Sequence, residues 1–157
     1  MINKLTLEQV SQFWDIVKYG LERSLPPDVV GYDKTMSWVL AAALSGKVDV
    51  WASYTKHQGK ITLNGIVVTK LVYDDTSDTK NLLIYSLYGY SQIPKESWKE
   101  ALVCIAEYAN SLGCLSVLAY STNPQVIKMA EALGADINSY LSFNVDKFVK
   151  KLNELEV

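Results

Sequence analysis

A chain of 157 residues with 49% apolar and 20% charged side chains has the size and composition of one globular domain. Fifteen basic against seventeen acidic residues leave a formal net charge of −2, which offers no electrostatic footprint for nucleic acid. The longest apolar stretches, such as Trp38 to Leu44, are far too short for a bilayer, and the opening MINKLTLEQV lacks the basic-then-apolar layout of a secretion signal, so the cytoplasm is the expected location.

The first element is a helix. Thr6 and Gln9 form a capping-box pattern ahead of an apolar stripe, Val10, Phe13, Trp14, Val17 and Leu21, and Pro26-Pro27 forbids its continuation. Leu25 to Gly31 reads as a loop. A second helix is expected from Asp33 to Ser45, stopped by Gly46. The period then changes to two: Val48, Val50, Ala52 and Tyr54 alternate with Asp49, Trp51 and Ser53. The turn His57-Gln58-Gly59-Lys60 leads into a second strand, Ile61 to Tyr73, in which Gly65 predicts a bulge or a close backbone approach. An acidic loop, Asp74 to Asp78, precedes a third strand, Leu82 to Tyr90. Its Tyr85, Tyr88 and Tyr90 fall at spacings that do not alternate evenly between faces.

Ser97 and Glu100 give another capping-box pattern before Ala101, Leu102, Ile105, Ala106, Tyr108 and Ala109, with Gly113 as the stop. Leu115 to Tyr120 reads as a short strand, central and buried on both faces. Asn123 with Pro124 starts a helix that ends at Gly134. Ile137 to Val145 alternates as a last strand, and Asp146 caps a C-terminal helix. No linker or repeat divides the chain, so residues 1–157 read as one domain, with 146–157 as its C-terminal helix. Strands joined by short turns should be antiparallel, and the pair joined through the Trp98 helix parallel. The expected class is α/β in the broad sense, an α+β mixed central sheet with helices on both faces. Cys104 on the helix and Cys114 past its stop lie roughly 15 Å apart along a helical rise, too far for a disulfide; free, buried thiols are expected.

Residues 82–145 resemble the GNAT (N-acetyltransferase-like) superfamily. LLIYSLYGY, SWKEALVCIAEYANSLGCLSVLAYS and NPQVIKMAEALGAD follow that family's strand, helix, strand, helix order, and the helices before the first hairpin also match. The family's first strand is represented at most by Ile2 to Leu5. The resemblance implies a pyrophosphate of CoA held by backbone N–H groups at the turn into the Trp98 helix, where the family carries Gln/Arg-x-x-Gly-x-Gly/Ala. This chain has Tyr90-Ser91-Gln92-Ile93-Pro94-Lys95-Glu96-Ser97. No glycine follows Gly89 until Gly113, Pro94 removes one donor, and Glu96 brings a negative charge to the phosphate position. The candidate cofactor contacts are Gln92, Ile93, Lys95, Ser97 and Asn123. The family's proton-donating tyrosine falls on Ala130, and the Phe of its Leu-Gly-Phe ending on Ala135. Tyr88 and Tyr120 are the substitutes available for protonating a leaving thiolate.

His57 reads as a solvated turn residue and not as a base, and Asp74, Asp75 and Asp78 lack the glycine and distal glutamate of a calcium loop, so no metal is expected. Three functions compete. The favoured one is a GNAT-like domain with a degenerate acyl-CoA site and no cofactor, non-catalytic, acting through a protein partner or self-association. Small proteins carried by tailed phages resemble it, which would place it in a virion. The second is an acyl-CoA-dependent N-acyltransferase with an atypical pocket, using acetyl-CoA. The third is a binder of another small ligand in the cleft where the central strands diverge.

Overall fold

A computed structural model describes residues 1–29 and 33–155. Residues 30 and 31 of the expected first loop and residues 156 and 157 of the expected last helix lie outside the described residues. The chain divides into two compact units, Met1–Tyr120 and Ser121–Val157.

The first unit is built on a five-stranded sheet in the order β1-β2-β3-β4-β5. The strands are β1 (Ile2–Lys4), β2 (Asp49–His57), β3 (Lys60–Asp74), β4 (Thr79–Gly89) and β5 (Ser116–Ala119). The first four are antiparallel neighbours, and β5 runs parallel to β4, as a helical crossover requires. Helices α1 (Leu7–Gln12), α2 (Trp14–Glu22) and α3 (Asp33–Leu44) and the crossover helix α4 (Lys95–Ser111) complete the unit. The sheet's period-two alternation sorts its side chains into two cores. Val50, Ile66 and Val68 join Val10, Val17, Leu21, Met36 and Ala43 from α1–α3. Ile2, Trp51, Val67 and Leu82 join Ala101, Ile105 and Ala109 of α4. Helices therefore cover both faces.

Local chemistry explains the boundaries. Thr6 accepts from the Gln9 N–H at 3.2 Å while the Gln9 side chain accepts from the Thr6 N–H at 2.9 Å, the expected capping box. The single first helix expected from the apolar stripe is instead two, because Phe13 (φ −102°, ψ 17°) leaves helical geometry and serves as both the end of α1 and the start of α2. The β2–β3 turn places Gln58 at φ 48° and Gly59 at φ 78°, two left-handed residues, the pairing that suits a two-residue hairpin. His57 pairs with Lys60 beside it and is exposed. Gly113 (φ 68°) stops α4 as expected, and Lys80 Nζ donates to the Leu112 carbonyl at 2.9 Å, neutralising the negative end of the helix.

Three sequence expectations fail in informative ways. Ser97 is not the cap of α4: the helix begins three positions earlier, with Pro94 as its N-cap and no side-chain hydrogen bond to the first turn. Proline's fixed φ suits the entry to a helix and lets the chain start turning before the serine. β5 is not a central strand: among the described residues it is the last strand of the sheet, with Val117 41% and Leu118 37% exposed. Cys104 and Cys114 are free thiols but only half-buried.

In the second unit, Asn123 caps α5 (Pro124–Ala132), its Oδ1 accepting from the Gln125 N–H at 2.9 Å. Gly134 at φ 85° follows its end. Residues 137–144 form no strand and Val145 opens α6; alternation alone does not make a ladder. α6 (Val145–Glu154) is capped by Asn144, whose Oδ1 accepts from the Lys147 N–H at 3.1 Å, and Asp146 sits in its first turn, not at the cap. Phe143 packs on Phe148 with ring centroids 4.6 Å apart.

Candidate functional site

Two irregularities in the sheet shape the site. On β3, Ser53 pairs with Gly65 but Tyr54 pairs with Leu63, so Asn64 is an extra residue. On β4, Val68 pairs with Ser86 but Thr69 pairs with Ile84, so Tyr85 is extra. Each is a bulge, which bends its strand. The parallel pairing of β4 with β5 covers only Asn81–Ile84 against Ser116–Ala119. From Tyr85 to Gly89, β4 therefore continues without its parallel neighbour, and the two strands part company at the bulge.

The bulge also settles the uneven tyrosine spacing. Tyr85, Tyr88 and Tyr90 all pack against the α1–α3 core. Tyr88 meets Tyr90 edge-on at 5.1 Å and Tyr19 at 6.0 Å. The Tyr90 hydroxyl donates to the Ile16 carbonyl at 2.5 Å, and the Arg23 guanidinium stacks 3.5 Å from the Tyr19 ring centre. Burial, then the neighbouring Tyr88 and Tyr19, push the Tyr90 phenol up to about 12. Across the sheet, burial followed by the hydrogen bond to Asp49 at 2.5 Å pushes Tyr108 up to about 12 as well. A phenol whose pKa is raised on folding adds stability below its ordinary value near 10 and loses it as pH climbs through the folded value. Alkaline titration should therefore show the phenolate steps of Tyr90 and Tyr108 delayed past pH 10, with far-UV dichroism falling between about pH 10 and 12. Tyr90→Phe and Tyr108→Phe should each remove one delayed step; ordinary titration of every tyrosine in the folded protein would sink this account.

Beyond Gly89 the chain turns into α4. Tyr90 N–H donates to the Asn64 carbonyl at 2.8 Å, and Ile93 Cδ1 rests close over Gly65 and Gly89. Ile93 and Ser97 meet there, lining with Ser53, Gly65, Leu87, Trp98 and Ala101 a gap of about 20 Å3, room for a single water. Gln92 and Lys95 are exposed at the mouth of α4. The first intrahelical bond runs from the Trp98 N–H to the Pro94 carbonyl at 3.1 Å. The amides of Lys95, Glu96 and Ser97 precede it, and no side chain caps them, so they carry the positive end of a 17-residue helix. Glu96 is exposed in the first turn of α4. It lines a shallow groove of about 400 Å3 on the outer face of α4 with Lys99, Glu100, Val103, Cys104 and Glu107.

Of the tyrosines considered as proton donors, Tyr88 packs against the α1–α3 core and also lines the gap with Ile93 and Ser97, while Tyr120 follows the end of β5. Asn123 is the α5 cap in the second unit. Sequence reasoning missed Tyr85, the residue at which β4 leaves its neighbour; the broken alternation of Tyr85, Tyr88 and Tyr90 was its signal. Burial first, then the Asp28 carboxylate, raise the Tyr85 phenol. The Cys104 thiol is likewise held protonated by burial, then by Glu107 and Glu100, which is the wrong environment for a nucleophile. Asp74 is occupied by its own turn, accepting from Thr76 N–H at 2.9 Å and Ser77 Oγ at 2.8 Å, which hold its carboxyl below the usual range. Among the described residues no group of three His, Cys, Asp or Glu side chains could hold a metal, and no helix is long and apolar enough to cross a membrane.

Solved structures of several acetyltransferases are similar to this chain in fold. A probable acetyltransferase superposes with a TM-score of 0.67 at 12% identity, over 92% of this chain and 95% of its own. The chain has the GNAT fold. A predicted acetyltransferase from Clostridium acetobutylicum, solved with acetyl-CoA, gives 0.65 at 14% identity over 94% and 98% of the two chains. Ribosomal-protein-alanine N-acetyltransferase from Brucella melitensis gives 0.60 at 14% over 92% and 99%. By sequence, the chain matches no family model and no curated protein. The GNAT fold here is thus carried by geometry at identities where little of the sequence is shared.

Proposed function

We propose that this protein binds an acyl-CoA at the mouth of α4 and acts as an N-acyltransferase with an atypical pocket. The observation that carries this reading is the uncapped first turn of α4, set where β4 has left β5. Three backbone amides, the helix dipole and Lys95 offer a diphosphate what it needs. Glu96, which the sequence placed in the way, is exposed and lines the groove along α4 with Lys99 and Glu100. Gln92 and Ser97 stand at the same mouth as further polar contacts, and the acetyl-CoA held by the similar fold from Clostridium acetobutylicum supports the choice of cofactor.

The test is a thermal-shift titration with acetyl-CoA and with free CoA. A ligand at about a hundred times its Kd adds about 2.7 kcal/mol to the native state, which for a chain of this size corresponds to a rise in Tm of roughly 5–11 °C. Lys95→Glu should reduce the shift while leaving the unliganded Tm within about 1 °C, since an exposed surface change costs little. A well-folded protein that neither ligand stabilises would reject the proposal. It would favour a second reading, a non-catalytic binding or assembly protein. That reading draws on Pro94, which removes a donor, on the lack of any glycine between Gly89 and Gly113, and on Ala130 where the family carries a tyrosine.

A further inference from the structure

The outward side of α3 has the composition of an interior. The helix holds 12 residues, and its only charges, Asp33 and Lys34, stand in the first turn. From Thr35 to Gly46 the chain carries none. Met36 and Ala43 are buried in the core shared with β2 and β3, whereas Ser37, Trp38, Ala41 and Leu44 are exposed, Trp38 at 70%. A helix that is apolar around its whole girth is normally covered on both sides. α4, against the other face of the sheet, shows the usual alternative: its outer side carries Glu96, Lys99, Glu100 and Glu107.

We propose that the outer face of α3 packs antiparallel on the α3 of a second copy of this chain, about a two-fold axis level with Leu40. Charge and shape select a copy over another partner. Asp33, whose side chain is 97% exposed beside Lys18, stands at one end of the face, and exposed Lys47 stands just past the other. Asp33 and Lys47 are equally far along the chain from Leu40, so reversal of the helix sets each Asp33 against the partner's Lys47. Lys34 then faces the negative end of the opposite helix, whose last turn has no basic residue of its own. A two-fold axis makes every such contact twice and closes without further growth. Between the charged ends, each Trp38 meets the partner's Ala41 and the partner's Ala42, short side chains that leave room for an indole. A partner of uniform charge would satisfy one end of the face and repel the other. A helix of this length is about 18 Å long, and one such crossing falls short of the ~800 Å2 per partner of a stable complex, so the dimer exchanges with single chains.

The experiment is sedimentation equilibrium on the full chain over a wide concentration series. The mean mass should rise with concentration from 17.6 kDa toward twice that value, with tryptophan emission moving to shorter wavelength as it does. Trp38→Glu should hold the mass at the single chain throughout. Should that variant fold poorly, Ala41→Arg, which blocks the same contact from the facing helix, is read instead with the same expectation. Lys47→Asp should weaken association roughly fivefold, the effect of two exposed pairs turned to like charge, and adding Asp33→Lys to it should recover most of the loss. A single-chain mass for the unaltered protein at every concentration overturns the proposal, whether another segment or another protein covers α3. A dimer that persists in folded Trp38→Glu or Ala41→Arg overturns it equally, and so does a charge reversal that the second exchange fails to recover.

Discussion

Gly65→Val is expected to lower the unfolding free energy by roughly 1–3 kcal/mol, the range for forcing extra atoms into a packed site, and to weaken the CoA binding proposed above. A Cβ at position 65 would sit 2.7 Å from the Tyr88 carbonyl oxygen and 3.2 Å from Ile93 Cδ1. The first neighbour is backbone, held in the β3–β4 ladder where Gly65 faces Gly89 and Ile66 faces Tyr88. It cannot give way without shifting the register on which the Tyr85 bulge depends. The second neighbour belongs to the loop that enters α4, so relief in that direction displaces the helix mouth. Gly20 makes an instructive contrast. A Cβ there would meet Ile66 Cδ1 and the Tyr90 hydroxyl at 2.8 Å, but both are side-chain ends, and alanine in a helix regains about 1 kcal/mol over glycine. Urea unfolding followed by tryptophan fluorescence should rank Gly65→Val well below Gly20→Ala in stability. Equal values for the two would show that the sheet yields at Gly65 and that the close approach carries no weight.

Leu82→Ala should cost more, about 2–5 kcal/mol as for other fully buried leucines, or a fall in Tm of roughly 4–20 °C. Leu82 is 1% exposed and sits on β4 between Leu71 of β3 and Val117 of β5. Its side chain belongs to the layer with Trp51, Val67, Ile105 and two alanines of α4, Ala101 and Ala109. Alanines on the facing helix have no length with which to close the hole, and the helix cannot settle inward without dragging its Lys80-capped end. All four tryptophans lie within Met1–Tyr120, so their fluorescence follows the unit that contains Leu82. A loss below about 1 kcal/mol would mean that the α4 layer repacks freely.

Much of this fold was legible in the sequence because it is encoded by local rules. Thr6 with Gln9, Asn123 with Pro124, and the left-handed Gly46, Gly59, Gly113 and Gly134 all stand where their chemistry puts them. Gly65 was readable for the same reason: a glycine inside a β-branched run has few other uses. What stayed hidden depends on competition between neighbours. Ser97 and Glu100 form a valid capping pattern, yet Pro94 begins the helix first, and no spacing rule ranks the two. Phe13 belongs to the apolar stripe but breaks it, with the chain on either side still helical. β5 and residues 137–145 have strand patterns, and whether a strand is central or at the edge is decided by partners, which a pattern does not contain. At the site, the count of glycines speaks against a phosphate cradle, whereas the first turn of α4 without a side-chain cap, invisible in sequence, leaves its amides open.

The Tyr90 hydroxyl on the Ile16 carbonyl and its amide on the Asn64 carbonyl fasten the chain one residue ahead of the turn into α4, and Ile93 clips the same turn to Gly65 from the other end. A segment tethered at both ends has few conformations left to lose. An anion arriving at Lys95, Glu96 and Ser97 would find donors already aimed, so that most of its attraction would appear as affinity and little would be consumed in freezing a loose strap.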